Sequence, residues 1–354
     1  MKIGKKIRVL IVDDSAVVRN LLSHILSAES DIEVVGTAID PFQAREKIVD
    51  LNPDVLTLDI EMPRMDGVTF LEKLMRHKPI PTVIISSLSV AGSKMALQAL
   101  EAGAVEVLAK PAIDVKKGLQ DVREPIVQAV RAASRAKLQP VVRTAPVGTV
   151  VKVTKSALTQ TTHQILAIAS STGGTEALKR ILPFLPADLP GTLIVQHIPP
   201  VFSKSFADSL NKICPFEVKE AEDGDRVSPG RVLIAPGNFH MELVRSGAYY
   251  YAKLHQEPQI HGVRPAADIL LRSVAKVAGG NAIGVILTGM GKDGAQGILE
   301  MHQAGAITIA QDEESCVVFG MPREAIALGG VDQVRPLSEI ANEIVMQAKK
   351  KAVA

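Results

Sequence analysis

Apolar runs and amphipathic stretches alternate from the first residues of this chain, and that alternation narrows its fold more than any other feature. Ile7–Val12, Val34–Ala38, Val55–Leu58, Thr82–Ile85 and Val105–Leu108 are short and apolar, as buried strands are. Between them, Ser15–Ala28, Pro41–Leu51, Val68–His77, Ser93–Ala102 and Gly118–Ala136 carry helical periodicity. Five βα units in about 130 residues predict a doubly wound parallel sheet.

The alternation stops at residue 137. The stretch 137–163 is rich in Val, Thr and Lys, holds two prolines and shows little periodicity. It predicts a linker, and the domain limits are set at 6–130, 131–163 (linker) and 164–354. The α/β pattern resumes in the third segment, with strands predicted at 165–169, 192–196, 231–235, 283–288 and 306–310. Helices are predicted at 174–183, 201–213, 265–278, 295–304 and 337–350. Between 216 and 256, Asp223-Gly224, Ser228-Pro229-Gly230 and Ser246-Gly247 punctuate short strands. They predict hairpins inserted in a mostly parallel, three-layer α/β domain.

Composition excludes several classes of function. At 354 residues and 47% hydrophobic, the chain can bury more than one core. Aromatics are 3% with no Trp, which counts against stacking platforms for single-stranded nucleic acid. Forty Lys and Arg against 38 Asp and Glu leave +2, too even for an electrostatic DNA or membrane binder. Cys214 and Cys316 form neither metal spacing nor a disulfide framework, so a reducing cytoplasm is expected. Lys2, Lys5 and Lys6 precede an apolar run, but Asp13 and Asp14 cut it short after Val12. That run is neither a signal nor a membrane span.

Acids stand at the ends of the predicted strands. Asp13 and Asp14 follow the first strand and Asp59 the third, while Ser86 and Lys110 end the fourth and fifth. In an open parallel sheet, ligands bind beyond the carboxyl ends of the strands, at the switch point. With strand order 2-1-3-4-5 the three carboxylates converge, and they need a cation; hard oxygen ligands suit Mg²⁺. Asp14 and Asp59 are the expected metal ligands. A metal there could clamp a phosphoryl group for attack by Asp59, with Lys110 and Ser86 on the phosphoryl oxygens. A single acid at a strand end is more simply a helix cap, but this ordered set points to a site.

Asp13-Asp14, the run Leu58-Asp59-Ile60-Glu61-Met62-Pro63-Arg64-Met65-Asp66-Gly67, Ser86 and Lys110-Pro111 resemble a response-regulator receiver domain. The resemblance covers 6–130 and implies a flavodoxin-like five-stranded sheet and phosphorylation of Asp59 by a histidine kinase. Val107 stands where many receivers carry an aromatic residue.

In the third segment, Ile165-Leu166-Ala167-Ile168-Ala169-Ser170-Ser171-Thr172-Gly173-Gly174 sets hydroxyls and glycines where a strand meets a helix. Three readings fit: a nucleophile on a sharp turn, a phosphate cradle and plain capping. The elbow pattern G-x-S-x-G is nearly met, with Ala169 in the first position. A nucleophilic serine needs a base, and His197 is the histidine that ends an apolar strand. If that strand lies beside the one ending at Ser171, both side chains reach one edge of the sheet. Asp293, in Thr288-Gly289-Met290-Gly291-Lys292-Asp293-Gly294, follows a third strand and would orient the imidazole. The backbone N–H groups of Thr172 and Met290 are the candidate oxyanion donors. Gly289, Gly291 and Gly294 also spell G-x-G-x-x-G, with Asp312 beyond, which is a dinucleotide fingerprint by pattern alone. Against it, Asp293 would put a negative charge at the pyrophosphate turn.

The stretches from Ala169 to Ala177, Gln196 to Pro200, Ile234 to Gly237, His240-Met241, Leu287 to Gly294 and Ser315 to Pro322 resemble the chemotaxis protein-glutamate methylesterase family. With the receiver in front, the resemblance covers nearly the whole chain. It implies hydrolysis of glutamate 5-methyl esters on methyl-accepting chemotaxis receptors, with release of methanol, and deamidation of particular receptor glutamines. Ser171, His197 and Asp293 fall on the family's catalytic positions and Met290 on its oxyanion loop. Ala169 replaces the usual glycine and Lys292 a frequent asparagine. The expected partners are the receptors and a chemotaxis histidine kinase, with no nucleic acid and no membrane insertion; ester hydrolysis needs no cofactor. The competing class is a receiver fused to a nucleotide-binding module. A DNA-binding regulator is a poorer third, because no compact basic helix-turn-helix follows the receiver.

Overall fold

The computed structural model describes residues 5–87, 89–110, 119–138 and 164–353. The chain divides into two compact units between 143 and 144. The segment 139–163, read as linker, lies outside the described residues.

The first unit alternates β1 (Ile7–Val12), α1 (Ala16–Ser27), β2 (Ile32–Ala38), α2 (Pro41–Leu51), β3 (Val55–Asp59), α3 (Gly67–His77), β4 (Thr82–Ser86), α4 (Val90–Glu101), β5 (Glu106–Ala109) and α5 (Leu119–Arg135). The sheet order is β2-β1-β3-β4-β5 and every pairing is parallel. Residues of β3 and β4 are buried at every position, as a sheet covered by helices on both faces requires. The register Val12↔Leu58 makes Asp13 and Asp59 the next facing pair. Helix α5 runs through 131–135, the segment read as the start of the linker. It is tied back by Arg131, which pairs with Glu29 and Asp31.

The second unit begins with β6 (Ile165–Ser170), α6 (Gly174–Ile181), β7 (Gly191–Gln196) and α7 (Phe202–Asn211). Then come β8 (Glu217–Glu220), β9 (Arg226–Val227), β10 (Arg231–Ile234), β11 (His240–Ser246) and β12 (Tyr249–His255). It closes with α8 (Ala267–Ala278), β13 (Ala282–Ile286), α9 (Ala295–Gln303), β14 (Ile307–Gln311), α10 (Met321–Ala327), β15 (Gln333–Arg335) and α11 (Leu337–Val353). Seven strands form a parallel sheet in the order β15-β14-β13-β6-β7-β10-β8. The central strands β13, β6 and β7 are buried throughout, so helices cover both faces in three layers.

The region 216–256 differs from the expectation. Its hairpin is not inserted in the parallel sheet: β11 and β12 pair with β9 in a separate three-stranded antiparallel sheet. Gly247, with φ 58°, opens the two-residue turn between β11 and β12, which suits a glycine at that position. Strand β8 and strand β10 stay in the parallel sheet. Met241 and Leu243 of β11 join the core beside Leu270 and Leu271 of α8, which holds the small sheet against the large one.

Candidate active site and phosphoacceptor pocket

In the first unit the strand-end acids fall into two groups. Asp40 and Asp66 cap α2 and α3 by accepting backbone N–H bonds of their first turns. Asp13 and Asp59 do not cap. They are buried, and the carboxylate oxygens of Asp13, Asp14 and Asp59 lie within 4.8 Å of one another. Lys110 Nζ stands 2.7 Å from Asp59 Oδ2 and 3.5 Å from Asp13 Oδ2. Burial pushes the Asp59 carboxyl up to about 6, against the pull of the Lys110 hydrogen bond. Burial also raises Asp13.

Among the described residues, Ser86 Oγ has no hydrogen-bond partner, and Asp13 Oδ2 has no contact closer than the Lys110 ion pair at 3.5 Å. A cluster of three acids with one lysine, and a buried carboxylate oxygen held only by a long ion pair, fits a small hard dication. The orphaned Ser86 hydroxyl, at the end of β4, fits an incoming anionic oxygen. Arg19 steadies the turn by donating to the carbonyl oxygens of Asp13 and Asp14, at 2.8 and 2.9 Å.

In the second unit, β6 is the middle of three neighbouring strands. Ser170 pairs with Gln196 in the β6–β7 register, so Ser171 and His197 are the next residues along; His197 N–H donates to the Ser170 carbonyl at 3.1 Å. On the other side, Ser171 N–H donates to the Thr288 carbonyl at 3.0 Å. Ser171, His197 and Asp293 thus leave the same end of one sheet.

Capping does not use these hydroxyls. Gly173, in the left-handed region at φ 78°, is the N-cap of α6, and that helix has no side-chain cap. Ser170 Oγ donates instead to Gln196 Oε1 at 2.7 Å. Likewise Gly294 is the N-cap of α9 without a side-chain cap, so Asp293 does not serve α9.

Asp293 serves His197. Its Oδ2 lies 2.8 Å from His197 Nε2. The same oxygen accepts from Ala267 N–H at 2.6 Å, and Oδ1 accepts from Asp268 N–H at 3.0 Å. Burial alone would raise this carboxyl; the His197 hydrogen bond and the two N–H groups at the start of α8 hold it below the usual carboxylate range. A carboxylate only accepts, so Nε2 carries the hydrogen and Nδ1 is the basic atom of the ring.

The dinucleotide reading fails on packing. A Cβ on Gly289 would stand 2.8 Å from Ser171 Cβ, so the bare face of that glycine is filled by the serine. Asp312 is spent on a turn, accepting from Ser315 N–H and Oγ at 3.0 and 2.5 Å. Thr172 and Met290 flank the serine on two loops: the Thr172 carbonyl accepts from Thr288 Oγ1 at 3.0 Å, and Met290 follows Gly289 directly.

Several contacts around the site were not foreseen from the sequence. Thr288 Oγ1 links Thr172 to the Val318 loop, and Gln311 Oε1 accepts from Thr288 N–H at 2.8 Å. Asp268, buried, accepts from Gly297 N–H at 2.8 Å and meets His261 Nε2 at 3.0 Å. His240, fully buried, accepts from Ala266 N–H at 3.1 Å. The one signal in the sequence is a polar residue interrupting an apolar strand end, as Gln196 and Gln311 do.

The chain is similar to known proteins over both units. The profile of the CheB methylesterase family matches residues 166–344, and that of the response regulator receiver domain matches 9–123. A protein-glutamate methylesterase/protein-glutamine glutaminase of Bdellovibrio bacteriovorus is 60% identical over 99% of this chain and 100% of its own length. One of the same description from Salmonella choleraesuis is 52% identical over 96% of each chain. The crystal structure of the Thermotoga maritima CheB methylesterase catalytic domain is 43% identical, with a TM-score of 0.51, over 52% of this chain and 98% of that one.

Proposed function

The chain belongs to the CheB methylesterase family and carries a receiver domain ahead of its hydrolase, and we propose that it demethylates chemoreceptors under the control of Asp59. The substrates are glutamate 5-methyl esters on methyl-accepting receptors, with methanol released, and selected receptor glutamines, with ammonia released. The receiver runs from residue 6 to the end of α5 at Arg135, the hydrolase spans 164–354, and the setting is the cytoplasm.

Ser171 Oγ attacks the ester carbonyl as His197 Nδ1 takes its proton. Asp293 holds the Nε2 hydrogen and stabilises the imidazolium. The N–H groups of Thr172 and Met290 receive the oxyanion. Collapse expels methanol, which takes the proton from Nδ1 and leaves an acyl-serine. Water, deprotonated by the same nitrogen, attacks the acyl carbon, and Ser171 departs with the proton. The observation that carries this reading is the His197 Nε2–Asp293 Oδ2 contact at 2.8 Å, with the Asp293 carboxylate held further by two helix N–H groups.

In the receiver, Asp14 and Asp59 would hold Mg²⁺ beside Asp13. When bound, the ion supplies charge neutralisation for an incoming phosphoryl group. Asp59 accepts the phosphoryl from a histidine kinase, and Lys110 and Ser86 bind its oxygens. Methanol release from methylated receptor membranes tests the whole reading. It should occur with the wild-type chain, rise with a small phosphodonor, lose that response in Asp59→Asn, and vanish in Ser171→Ala. Normal release by Ser171→Ala would refute it.

A further inference from the structure

The amide of Gln196 bonds the backbone carbonyls of Ser171 and His197 and the hydroxyl of Ser170. Gln196 is the last residue of β7, 3% exposed, and its side chain reaches across to the end of β6. Nε2 donates to the carbonyl oxygen of Ser171 at 2.9 Å and to that of His197 at 3.0 Å. Oε1 accepts from Ser170 Oγ at 2.7 Å. The orientation of the amide is dictated by chemistry: two carbonyl oxygens can only accept, so the NH₂ must face them.

We propose that Gln196 is a positioning residue that fixes the spacing of Ser171 and His197 by bonding both of their carbonyl groups. The inference rests on Ser171 being the nucleophile and His197 the base. Beyond Ser170↔Gln196 the β6–β7 ladder ends and the two strands diverge into separate loops, one towards α6 and the other towards α7. The ladder places Ser171 and His197 near each other but does not fix the turn that carries each one. A single NH₂ group bonded to both carbonyls supplies that constraint. A carboxylate would oppose two carbonyl oxygens, and an alkyl group would take the side-chain donor from His197 and leave the Ser171 carbonyl only the Gly174 N–H at 2.7 Å, with nothing to tie the two together. The surrounding chain is shaped to admit the amide: a Cβ at Gly174 would stand 2.2 Å from Gln196 Oε1.

The experiment compares the full chain with Gln196→Met, Gln196→Glu, Ser170→Ala and Ser171→Ala. It measures the rate of covalent labelling by a fluorophosphonate, and kcat and KM on a small ester, with circular dichroism to establish folding. Gln196→Met should slow labelling and lower kcat by roughly 10- to 100-fold, since sub-ångström errors in attack geometry act on the chemical step. KM should stay within about threefold. Gln196→Glu keeps the acceptor for Ser170 but loses both donors; it should show the same loss, and it carries the test if the Met variant does not fold. Ser170→Ala removes only the bond to Oε1 and should cost less than about threefold, where a simple packing role for this cluster would make it as harmful as Gln196→Met. A folded Gln196→Met or Gln196→Glu chain labelled at a wild-type rate would overturn the proposal, as would a rise in KM at unchanged kcat. Labelling that persists in Ser171→Ala would instead refute the nucleophile assignment itself.

Discussion

The glycine motif at 289–294 offers a perturbation whose size follows from the contacts around it. A Cβ added at Gly289 would lie 2.3 Å from Met321 Sδ, 2.8 Å from Ser171 Cβ and 3.1 Å from Ser171 N. Carbon atoms in contact sit at about 3.5–4.0 Å, so Ser171 must retreat by about 0.7 Å or more. An error of about 1 Å in a reacting group costs on the order of 100-fold. Gly289→Ala should therefore lower kcat by roughly 10- to 100-fold, and overpacking should cost about 1–3 kcal/mol of stability. Gly291 is the internal control. It sits at φ 86° with nothing within 4 Å of its would-be Cβ. Gly291→Ala meets backbone strain of about 1–2 kcal/mol but no collision with the serine. The assay is fluorophosphonate labelling of the three chains, with urea unfolding beside it. A folded Gly289→Ala chain labelled at the wild-type rate, or a Gly291→Ala chain slower than Gly289→Ala, would refute the packing argument.

In the triad, Ser171→Ala should abolish ester hydrolysis, His197→Ala should cost about as much because nucleophile and base act as a unit, and Asp293→Asn should cost less than either; steady-state kinetics on one ester decides the ranking. Thr288→Val removes the hydroxyl that donates to the Thr172 carbonyl and accepts from Val318 N–H and should slow labelling, whereas Thr288→Ser should restore most of the rate. For the receiver, labelling by a small phosphodonor should require Mg²⁺ and stop in Asp59→Asn; radiolabel retained by that variant would move the phosphoacceptor elsewhere. Asp59 also sets a pH dependence of stability. Its folded pKa of about 6 lies above the unfolded value, so its contribution is fully present below about 3.8 and lost as pH rises through about 6. In EDTA, Asp59→Asn should therefore stabilise the receiver at pH 8 by at most ~3 kcal/mol, less whatever Lys110 loses with its partner, and do little at pH 4. Equal urea midpoint shifts at both pH values would contradict that assignment.

The sequence was most informative where periodicity and position coincide. Five βα repeats predicted the first sheet, and strand order 2-1-3-4-5 then required Asp13 and Asp59 to meet, as the register Val12↔Leu58 allows. His197 was legible because a histidine ends an otherwise apolar strand. The edges were less so. Glu217–Glu220 and Gln333–Arg335 are short and charged, as exposed edge strands are, and lack the apolar run that marks a core strand. The separate sheet of β9, β11 and β12 depends on which face of the hairpin meets α8, a tertiary fact that alternation within one strand does not encode. Asp268 looked like an ordinary polar residue because its N–H serves a carboxylate 25 positions away.

The order Ser…His…Asp along the chain follows from the sheet. Ser171, the proposed nucleophile, directly follows β6, the first strand of the domain, and later strands are added on either side of it, β7 on one and β13 on the other. The side that carries His197, at β7, is filled earlier in the chain than the side that carries Asp293, after β13. Asp293 must then reach back over the end of β6 to meet an imidazole on the far neighbour, and a buried carboxylate making that reach needs support of its own. Helix α8 provides it: the helix precedes β13 in the chain, and its first N–H groups, from Ala267 and Asp268, point at both Asp293 oxygens. Those donors do in the fold what a second charged side chain would otherwise have to do, keeping Asp293 ionised without adding a proton that could compete for His197. Asp268 gives its backbone N–H to this task while its side chain turns to Gly297 and His261. The helix start that a motif search would pass over is therefore as much a part of the acid's chemistry as the residue that bears the charge.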